Sequence, residues 1–406
     1  MTEPVDTLIP DFLAVAEASR ATRHVCIEGW RGVNHSIAMV NQHQLLALLG
    51  RPELKLYHRD LPFFLKHWNA AQMPAGFAPA DQARLMAVPP PPEDQPLDCV
   101  LRVSSPFLTR FTPGQKTLTF MVTEAGLVPE CFDEATPELA AFTRDDNRIV
   151  TPSRWSRDRL VEHGLDGDRI HVVPHGVKAD VFTPLSDADR ANARRMLGVG
   201  EGEALLLNVG VATWNKGLDL LLPAYAQVRQ RHPHVRLLLK DHRDLYRFGV
   251  ERTIAEVQRA YPTLITDEVL AGIMVVSVSL DQAQMRTLYA AADAYVSPYR
   301  AEGFNLPVLE AMACGTPVVV TDGGATDDFC PPDLAWRVAS RPGRPDEAPP
   351  PMNAFRVPLH DALVEALEAV ALGCLSRHDP RRLLQRHALI SRLSWPAVCA
   401  QLAQLF

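Results

Sequence analysis

The chain contains 406 residues, of which 47% are hydrophobic and 22% are charged, and its formal net charge is -7. This length predicts at least two domains with sizeable cores, and the negative charge disfavours a general nucleic-acid-binding protein. No apolar run approaches the length of a membrane-spanning helix.

The cysteines and the first residues predict the cellular compartment. Seven cysteines are scattered along the chain without a CxxC pair, which predicts reduced thiols and no zinc site. The first residues, MTEPVDTLIPDF, lack the basic and then apolar pattern of a secretion signal. We therefore expect a cytoplasmic protein.

The first half of the chain alternates between predicted helices and strands. An amphipathic helix is expected over residues 1–22, and further helices over Ser36–Leu49 and Ser153–His163. The predicted strands of this half are His24–Glu28, Lys55–His58, Asp98–Val103, Leu118–Val122, Arg148–Thr151 and Arg169–Pro174. Such alternation is typical of a parallel sheet with helices on both faces.

A hinge over Pro174–Pro184 separates this series from a second one. The strands and helices predicted there are Leu205–Val209, Lys216–Arg231, Val235–Leu239, Arg252–Tyr261, Ile273–Val276, Gln282–Ala291, Ala294–Ser297, Leu306–Ala313 and Thr316–Thr321. The proline-rich segments Val88–Pro96 and Arg341–Pro358 are expected to be surface loops, and Arg381–Phe406 has helical periodicity. Two doubly wound α/β halves of similar length are therefore predicted.

One βαβ stretch, Ala294–Asp328, carries the strongest candidates for a site. Gly303 gives its loop conformational freedom, and Asn305 is expected to cap the following helix. Backbone N–H groups at a helix start suit phosphates, and ligands of parallel sheets lie at the carboxyl ends of the strands. Because Glu302 and Glu310 flank this turn, we expect a ligand site there.

Several motifs of the chain resemble one known family. They are Glu302-Gly303-Phe304 followed by Glu310, Asn208-Val209-Gly210 followed by Lys216-Gly217, Thr151-Pro152-Ser153, Gly176-Val177 with Phe182, and Gly315–Val319 followed by Gly323-Gly324. With these motifs the chain resembles the family 4 retaining glycosyltransferases of the GT-B fold (glycosyl transferases group 1). The resemblance is strong over residues 150–335, moderate over the C-terminal helix and weak over residues 1–149.

The resemblance implies two Rossmann-like domains that face a central cleft, with a C-terminal helix that crosses back to the first domain. The acceptor-binding domain would comprise residues 1–180, with residues 385–406 packed on it, and the donor-binding domain residues 181–384. The implied activity is retaining transfer of a hexose from a UDP- or GDP-sugar to a hydroxyl group of a glycan, a lipid-linked sugar or a protein. Neither a cofactor nor a metal ion is expected, since no acidic pair sits in a convincing metal setting.

The resemblance also implies roles for single residues. Glu302 is expected to contact the reacting sugar, Glu310 to hold the ribose, and Lys216 to bind the diphosphate as a point charge. The other expected donor contacts are loop and strand-end residues, namely Gly303, Phe304, Asn305, Leu306, Lys240, Val276 and Gly32. Each of them alone also has an ordinary structural explanation, and their combination favours a site.

Three positions depart from the family pattern. One is Lys178, which stands at the hinge where relatives usually carry an acidic residue after Gly-Val. Val211 stands where relatives commonly carry an arginine, five residues before the lysine. The missing charge is then expected from Lys240, Arg31 or Arg300. The sequence Thr123-Glu124-Ala125-Gly126 stands where relatives often carry a histidine near the transferred sugar. Glu124 is therefore expected to fill that role as a third catalytic residue.

Other interpretations remain open at this point. A sugar-nucleotide epimerase or a phosphorylase would keep the fold, with Glu124 and Glu302 as acid and base in the epimerase. A non-catalytic nucleotide-sugar or carbohydrate-binding protein is another interpretation. The apolar segment Leu61–Trp68 has basic ends and is explained by core packing or by peripheral contact with the inner face of the membrane. The oligomeric state stays open.

Overall fold

The computed structural model describes residues 22–69, 76–349, 352–375 and 380–406. The helix predicted over residues 1–22 lies outside these ranges, apart from its last residue. The described residues are organised around two six-stranded sheets, one in each half of the chain.

The first sheet is entirely parallel. Its strands are β1 (Arg23–Gly29), β2 (Leu54–Asp60), β3 (Cys99–Val103), β4 (Thr117–Phe120), β5 (Arg148–Thr151) and β6 (Ile170–Val172). They pair in the order β2-β1-β3-β4-β5-β6. Helices α1 (Ser36–Leu48), α2 (Pro79–Met86) and α3 (Arg154–Glu162) belong to this half. The strand order reverses between β1 and β3, so the crevice beyond their carboxyl ends is a natural ligand position.

The second sheet repeats this design. Its strands are β7 (Ala204–Val209), β8 (Val235–Lys240), β9 (Ile273–Val276), β10 (Ala294–Ser297), β11 (Val318–Thr321) and β12 (Ala335–Val338). All pairs are parallel in the order β12-β11-β10-β7-β8-β9. Because both faces are covered, β7, β10 and β11 are buried along their whole length. Here the order reverses between β7 and β10.

The helices of the second half cover both faces of its sheet. They are α4 (Asp187–Met196), α5 (Leu218–Arg231), α6 (Arg243–Tyr246), α7 (Glu251–Ala260), α8 (Asp267–Leu270), α9 (Gln282–Ala291), α10 (Leu306–Ala313) and α11 (His360–Ala371). The structure confirms the predicted fold class of two doubly wound Rossmann-like domains.

Some element boundaries differ from the prediction. The segment Arg341–Pro358 is not a plain loop, because β13 (Ser340–Pro342) and β14 (Arg356–Pro358) pair antiparallel at its ends. The helix predicted to open at Lys216 begins two residues later, after a tight 3-10 turn.

The tail is two helices rather than one, α12 (Pro380–Arg392) and α13 (Trp395–Ala403). Pro396 lies in the first turn of α13, where its missing N–H group is tolerated, whereas a continuous helix would lose a hydrogen bond there.

The C-terminal helix α13 packs against α1 of the first half. Trp395 stacks on His43 with ring centroids 5.0 Å apart, and Arg23 donates hydrogen bonds to two carbonyl oxygens near the end of the chain. Gly176 is required at this junction, because a Cβ atom there would lie 2.6 Å from backbone atoms of Trp395. The helix therefore crosses back to the first domain, as predicted.

The apolar segment Leu61–Trp68 follows β2 as an irregular loop. Trp68 is buried, whereas 47% of Phe64 is exposed, so the segment combines core packing with an accessible aromatic ring. None of the helices among the described residues is both long and apolar enough to cross a membrane.

Replacing Trp395 by alanine should lower the free energy of unfolding by about 3–5 kcal/mol, because the buried indole joins α13 to α1. Urea unfolding measures this loss. Leu384→Ala is the matched control, since this side chain is 74% exposed on α12 and should change the free energy by less than about 0.5 kcal/mol. Equal losses in the two variants would contradict the docking role of Trp395.

Candidate active site

The candidate site lies where the strand order of the second sheet reverses. The loop after β7 ends in the 3-10 turn Trp214–Lys216, and the loop after β10 runs from Pro298 to Asn305 before α10 begins. Both loops leave the carboxyl ends of neighbouring strands, which is the position where doubly wound sheets bind ligands.

Glycine at position 217 brings these two loops together. Gly217 has a φ angle of +71° and follows the 3-10 turn, and a Cβ atom there would lie 2.1 Å from the carbonyl oxygen of Pro298. The carbonyl oxygen of Asn215 accepts a hydrogen bond of 2.7 Å from the N–H group of Arg300. This close approach fixes the start of α5 against the loop after β10.

The structure brings the three predicted catalytic residues together. The ammonium group of Lys216 donates a hydrogen bond of 2.7 Å to Oε1 of Glu302, and it lies 3.6 Å from Oε1 of Glu124. The side-chain amide of Asn215 donates to Oε2 of Glu124 at 2.7 Å. Because Glu124 belongs to the first half and the other residues to the second, this cluster joins the two halves across the cleft.

The two carboxylates differ in their environment. The side chain of Glu302 is 8% exposed and that of Glu124 is 45% exposed. Burial raises the pKa of Glu302 to about 7 against the opposing charge of Lys216. Burial also acts to lower the pKa of Lys216, but the two carboxylates outweigh it and raise this pKa above its ordinary value. Lys216 is therefore charged at neutral pH.

The segment before α10 presents unpaired backbone donors. In the described part of the chain, the N–H groups of Gly303, Phe304, Asn305 and Leu306 donate to no protein acceptor, although the first three residues are buried. Buried N–H groups are rarely left unpaired, and at a helix N-terminus they form an anion site. This segment is therefore suited to phosphate oxygens.

Asn305 does not cap α10 with its side chain, contrary to the prediction. Its φ angle is +76°, and its Nδ2 atom donates a hydrogen bond of 2.9 Å to Oγ of Ser297. Asparagine tolerates this left-handed conformation better than most residues. The conformation is thus held by β10 itself, and the helix start stays uncapped by any side chain.

Contacts from the first half hold the same segment from the other side. The hydroxyl group of Ser153, which also caps α3, donates to the carbonyl oxygen of Gly303 at 2.6 Å. A Cβ atom at Gly303 would lie 2.1 Å from Cγ2 of Val122. Arg154 forms an ion pair with Asp328. The two halves are therefore closed around the candidate site.

Glu310 lies inside α10, beyond the loop. Its Oε2 atom accepts a hydrogen bond of 2.7 Å from the hydroxyl group of Tyr289. Burial raises the pKa of Glu310 to about 7, while the hydrogen bond from Tyr289 acts to lower it. A carboxylate with one oxygen still unpaired, one to two turns into the helix, fits the predicted contact with vicinal hydroxyl groups.

The other predicted donor-binding residues differ in their burial, pairing and backbone conformation. Lys240 at the end of β8 is 1% exposed, burial lowers its pKa, and its ammonium group donates to the carbonyl oxygen of Asp241. Val276 pairs with Lys240 in register at the end of β9. Gly32 has a φ angle of +79° and donates its N–H group to Gln42, so its conformation is that of a tight turn.

Both arginines expected to replace the missing charge are engaged in bidentate ion pairs. Arg31 binds the carboxylate of Asp60, and Arg300 binds that of Asp219 at 2.7 and 2.6 Å. Both guanidinium groups are therefore already compensated by carboxylates, as is the ammonium group of Lys216 at the junction of the two loops.

Two polar residues of the site were not anticipated from the sequence. Asn215 links Glu124 to the loop after β10, and Tyr289 holds Glu310. Asn215 adjoins the Lys-Gly motif, which is a local signal. Tyr289 on α9 carries no such signal, because its partner is on another helix.

The acidic side chains near the site are engaged by arginines. Asp328 pairs with Arg154 and Asp327 with Arg337. Across the described ranges, no group of three or more histidine, cysteine, aspartate or glutamate side chains is arranged to hold a metal ion.

Comparison with known proteins finds similarity within the second half of the chain. Residues 189–331 match the model of "Glycosyl transferases group 1". A D-inositol 3-phosphate glycosyltransferase from Pseudarthrobacter chlorophenolicus is 35% identical over 181 residues, which are 44% of this chain and 40% of that protein. Mannosylfructose-phosphate synthase from Agrobacterium fabrum is 32% identical over 197 residues, 48% of this chain and 41% of that protein.

The chain thus spans about two fifths of the length of these curated relatives. The match over residues 189–331 confirms the resemblance found in the motifs of the second half.

A solved structure extends the similarity to the whole fold. HepE from Anabaena, in complex with UDP-glucose, superposes with a TM-score of 0.62 over 94% of this chain and 98% of its own, at 15% identity. At this identity the likeness shows a shared fold, and it agrees with the predicted GT-B architecture.

Replacing Gly303 by alanine should prevent full closure of the two halves, because the new methyl group would overlap Cγ2 of Val122. We expect the free energy of unfolding to fall by about 1–3 kcal/mol, measured by urea denaturation. The double variant Gly303→Ala/Val122→Ala removes the overlapping methyl groups and should recover most of this loss. No recovery would show that the overlap with Val122 is not the cause.

Proposed function

We propose that this chain transfers a hexose from a nucleoside diphosphate sugar to an acceptor hydroxyl group with retention at the anomeric carbon. The observation that carries the proposal is the convergence of Lys216, Glu302 and the unpaired N–H groups before α10 at the reversal point of the second sheet. The names of the curated relatives support glycosyl transfer as the reaction class.

The chemistry follows from where charge develops. As the bond between the anomeric carbon and the diphosphate breaks, negative charge grows on the leaving phosphate. Lys216 and the N–H groups of Gly303 and Phe304 are fixed donors that stabilise this charge without reorganisation. A phosphate oxygen of the leaving group takes the proton of the attacking hydroxyl group, so no protein nucleophile is required. Glu302 stabilises positive charge at the anomeric carbon.

Glu124 is the exchangeable member of the cluster. Its side chain is much more exposed than that of Glu302, and its distance to Lys216 is longer by nearly an ångström. An incoming diphosphate therefore displaces Glu124 from the ammonium group more easily than it displaces Glu302. Once displaced, Glu124 remains on the first-domain wall of the cleft, beside the transferred sugar.

The arrangement of the carboxylates disfavours an epimerase. An epimerase needs acid and base groups on opposite faces of the sugar ring. Here one ammonium group is within 2.7 Å of Glu302 and 3.6 Å of Glu124. In this closed arrangement, the two carboxylates converge on one ammonium group instead of facing opposite sides of a sugar ring.

A thermal-shift screen of UDP-glucose, UDP-galactose and GDP-mannose tests donor binding. A ligand at 100 times its dissociation constant stabilises the folded state by about 2.7 kcal/mol, so one of these donors should raise the melting temperature. We expect EDTA to change neither this shift nor the release of nucleoside diphosphate. Loss of turnover with EDTA would overturn metal-independent transfer. If none of these nucleotide sugars shifts the melting temperature, the result would support a protein that does not use such donors.

Lys216→Ala should reduce turnover of the donor by about 100- to 1,000-fold, because it removes a preorganised charge from the leaving group. Glu302→Gln keeps the shape of the side chain but removes its charge, and we expect a loss of similar size. Release of nucleoside diphosphate is the measurement. Lys55→Ala serves as the control, since Lys55 is an exposed lysine of β2. Turnover near that of the unmodified protein in either site variant would contradict the assignment.

Donor binding should weaken as the pH falls through about 7. The carboxylate of Glu310 accepts hydrogen bonds from both ribose hydroxyl groups, and its pKa is raised to about 7, so acidification depletes the accepting form. The dissociation constant of UDP-glucose, or of the donor found in the screen, should rise by up to about tenfold per pH unit below this value. Calorimetry between about pH 8 and 6 measures it.

Two variants separate the carboxylates in this experiment. Glu310→Gln should bind the donor weakly with a flat pH profile, whereas Glu302→Gln should retain the pH dependence. The opposite pattern would assign the titration to Glu302.

A further inference from the structure

An aromatic cluster lies beside the candidate site, on the side of the first domain. It comprises the rings of Trp30, His35, Phe64, Trp68 and Tyr246, which we call the aromatic wall. The ring centroids of Phe64 and Trp68 are 4.9 Å apart, those of His35 and Trp68 5.1 Å, and those of Trp30 and Phe64 5.6 Å. The rings thus form one continuous cluster, in which Trp30, His35 and Trp68 are buried and Phe64 is accessible.

The two halves of the chain build this wall together. The indole N–H group of Trp68 donates a hydrogen bond of 2.9 Å to the carbonyl oxygen of Leu245, and a ring nitrogen of His67 lies 3.0 Å from the same oxygen. Tyr246 then follows with its ring 6.1 Å from His35 and 6.3 Å from Trp68. These two contacts to one carbonyl oxygen hold α6 against the first domain.

Tyr246 connects the wall to the reactive cluster. The charges of Lys216 and Glu124 both act on its pKa, which burial raises to about 12. Tyr246 ends α6, which follows the carboxyl end of β8, at the edge of the sheet where the loop after β7 carries Lys216. Its phenol remains protonated at neutral pH. Within the described ranges, its hydroxyl group forms no hydrogen bond with the protein. A protonated, unpaired phenol beside the catalytic groups is a donor for a substrate oxygen.

The accessible surface at the wall, which also includes Phe248 and Asp60, is both apolar and polar. Phe64 is 47% exposed, and Phe248, whose ring lies 6.0 Å from Tyr246, is 43% exposed. At the end of β2, the carboxylate of Asp60 is 54% exposed and held by Arg31. A sugar ring offers the same combination, with an apolar face of C–H groups and an edge of hydroxyl groups. A polyprenyl chain would instead cover the hydroxyl group of Tyr246 without offering it a hydrogen-bond partner.

From this geometry we infer that the acceptor is a sugar, and that its ring stacks on Phe64 while the hydroxyl group of Tyr246 hydrogen-bonds to it. The inference rests on the proposed glycosyl transfer and specifies its second substrate. Mostly apolar surfaces with a few placed polar groups are typical of small-molecule sites. The two-domain origin of the wall means that the acceptor subsite is complete only when the halves are closed.

Saturation-transfer NMR tests the subsite without requiring turnover. The probes are methyl α-D-glucopyranoside, methyl α-D-mannopyranoside, myo-inositol and farnesyl phosphate, each measured with and without UDP. The variants are Phe64→Ala and Tyr246→Phe. The matched control is Tyr261→Ala, because Tyr261 is a 50% exposed aromatic residue outside the wall. Melting temperatures confirm that every variant is folded.

We expect at least one sugar probe to bind, and Phe64→Ala to weaken it about tenfold, equivalent to about 1.4 kcal/mol. Tyr246→Phe should also weaken binding, and Tyr261→Ala should not. Binding of farnesyl phosphate alone would replace the sugar by a lipid and overturn the inference, as would the absence of binding by every probe. Equal sugar binding in Phe64→Ala would also overturn it. If sugars bind but no nucleotide sugar shifts the melting temperature, the subsite stands and the proposed transfer fails.

Discussion

The structure depends on one shared charge, the ammonium group of Lys216 between Glu302 of its own domain and Glu124 of the other. Bringing three charged groups together in a partly buried place is costly unless they compensate one another. The compensation here requires both loops of the second sheet and one loop of the first. Gly217 permits the close approach of the two loops, and Asn215 ties Glu124 to them. The contacts of Lys216 therefore help to fix the position of one domain relative to the other.

Several features around this charge are unfavourable for folding alone. Glu302 and Glu310 are carboxylates whose burial raises their pKa values. Asn305 adopts a left-handed conformation, and the N–H groups before α10 lack acceptors in the described residues. Strain and unpaired groups of this kind persist where the surrounding structure imposes them, and they concentrate at functional sites. These unfavourable features lie together at the point where the strand order of the second sheet reverses. Their proximity is the physical reason to regard this place as a functional site.

The sequence predicted best those features whose cause is local. The strands Arg148–Thr151, Ile273–Val276 and Ala294–Ser297 have the predicted bounds, because short apolar runs between turn residues are typical of strands. The predicted helix Leu306–Ala313 is exact because Pro307 suits its first turn and Gly315 follows its end. Lys216 and Glu302 are predicted from motifs that resemble those of a known family. Hydrophobic spacing alone does not identify them.

Other features depend on distant contacts or lack an apolar stripe. Local signals exist for α4, since Ser186 caps it and two aspartates lie in its first turn. The helix α4, with the sequence DADRANARRM, buries only Ala193 among its own residues. It is held by Arg190 and Arg194, which bind Asp293 about a hundred residues later. The pair β13 and β14 contains prolines, so it read as a loop. The contact of Asn215 with Glu124 joins positions 91 residues apart, and only the folded chain shows that the predicted TEAG segment reaches Lys216.

The position of Glu124 on the other domain has a consequence for the order of events. In the closed arrangement, one lysine faces two carboxyl groups, so its positive charge is already compensated and is less available to a diphosphate. Separating the halves would remove Glu124 and leave Lys216 with Glu302 and the N–H groups before α10, a more favourable environment for an anion. In the proposed transfer, a diphosphate would therefore bind more easily before closure than after it. Closure would then bring Glu124 and the aromatic wall to a donor whose leaving group is already stabilised by Lys216.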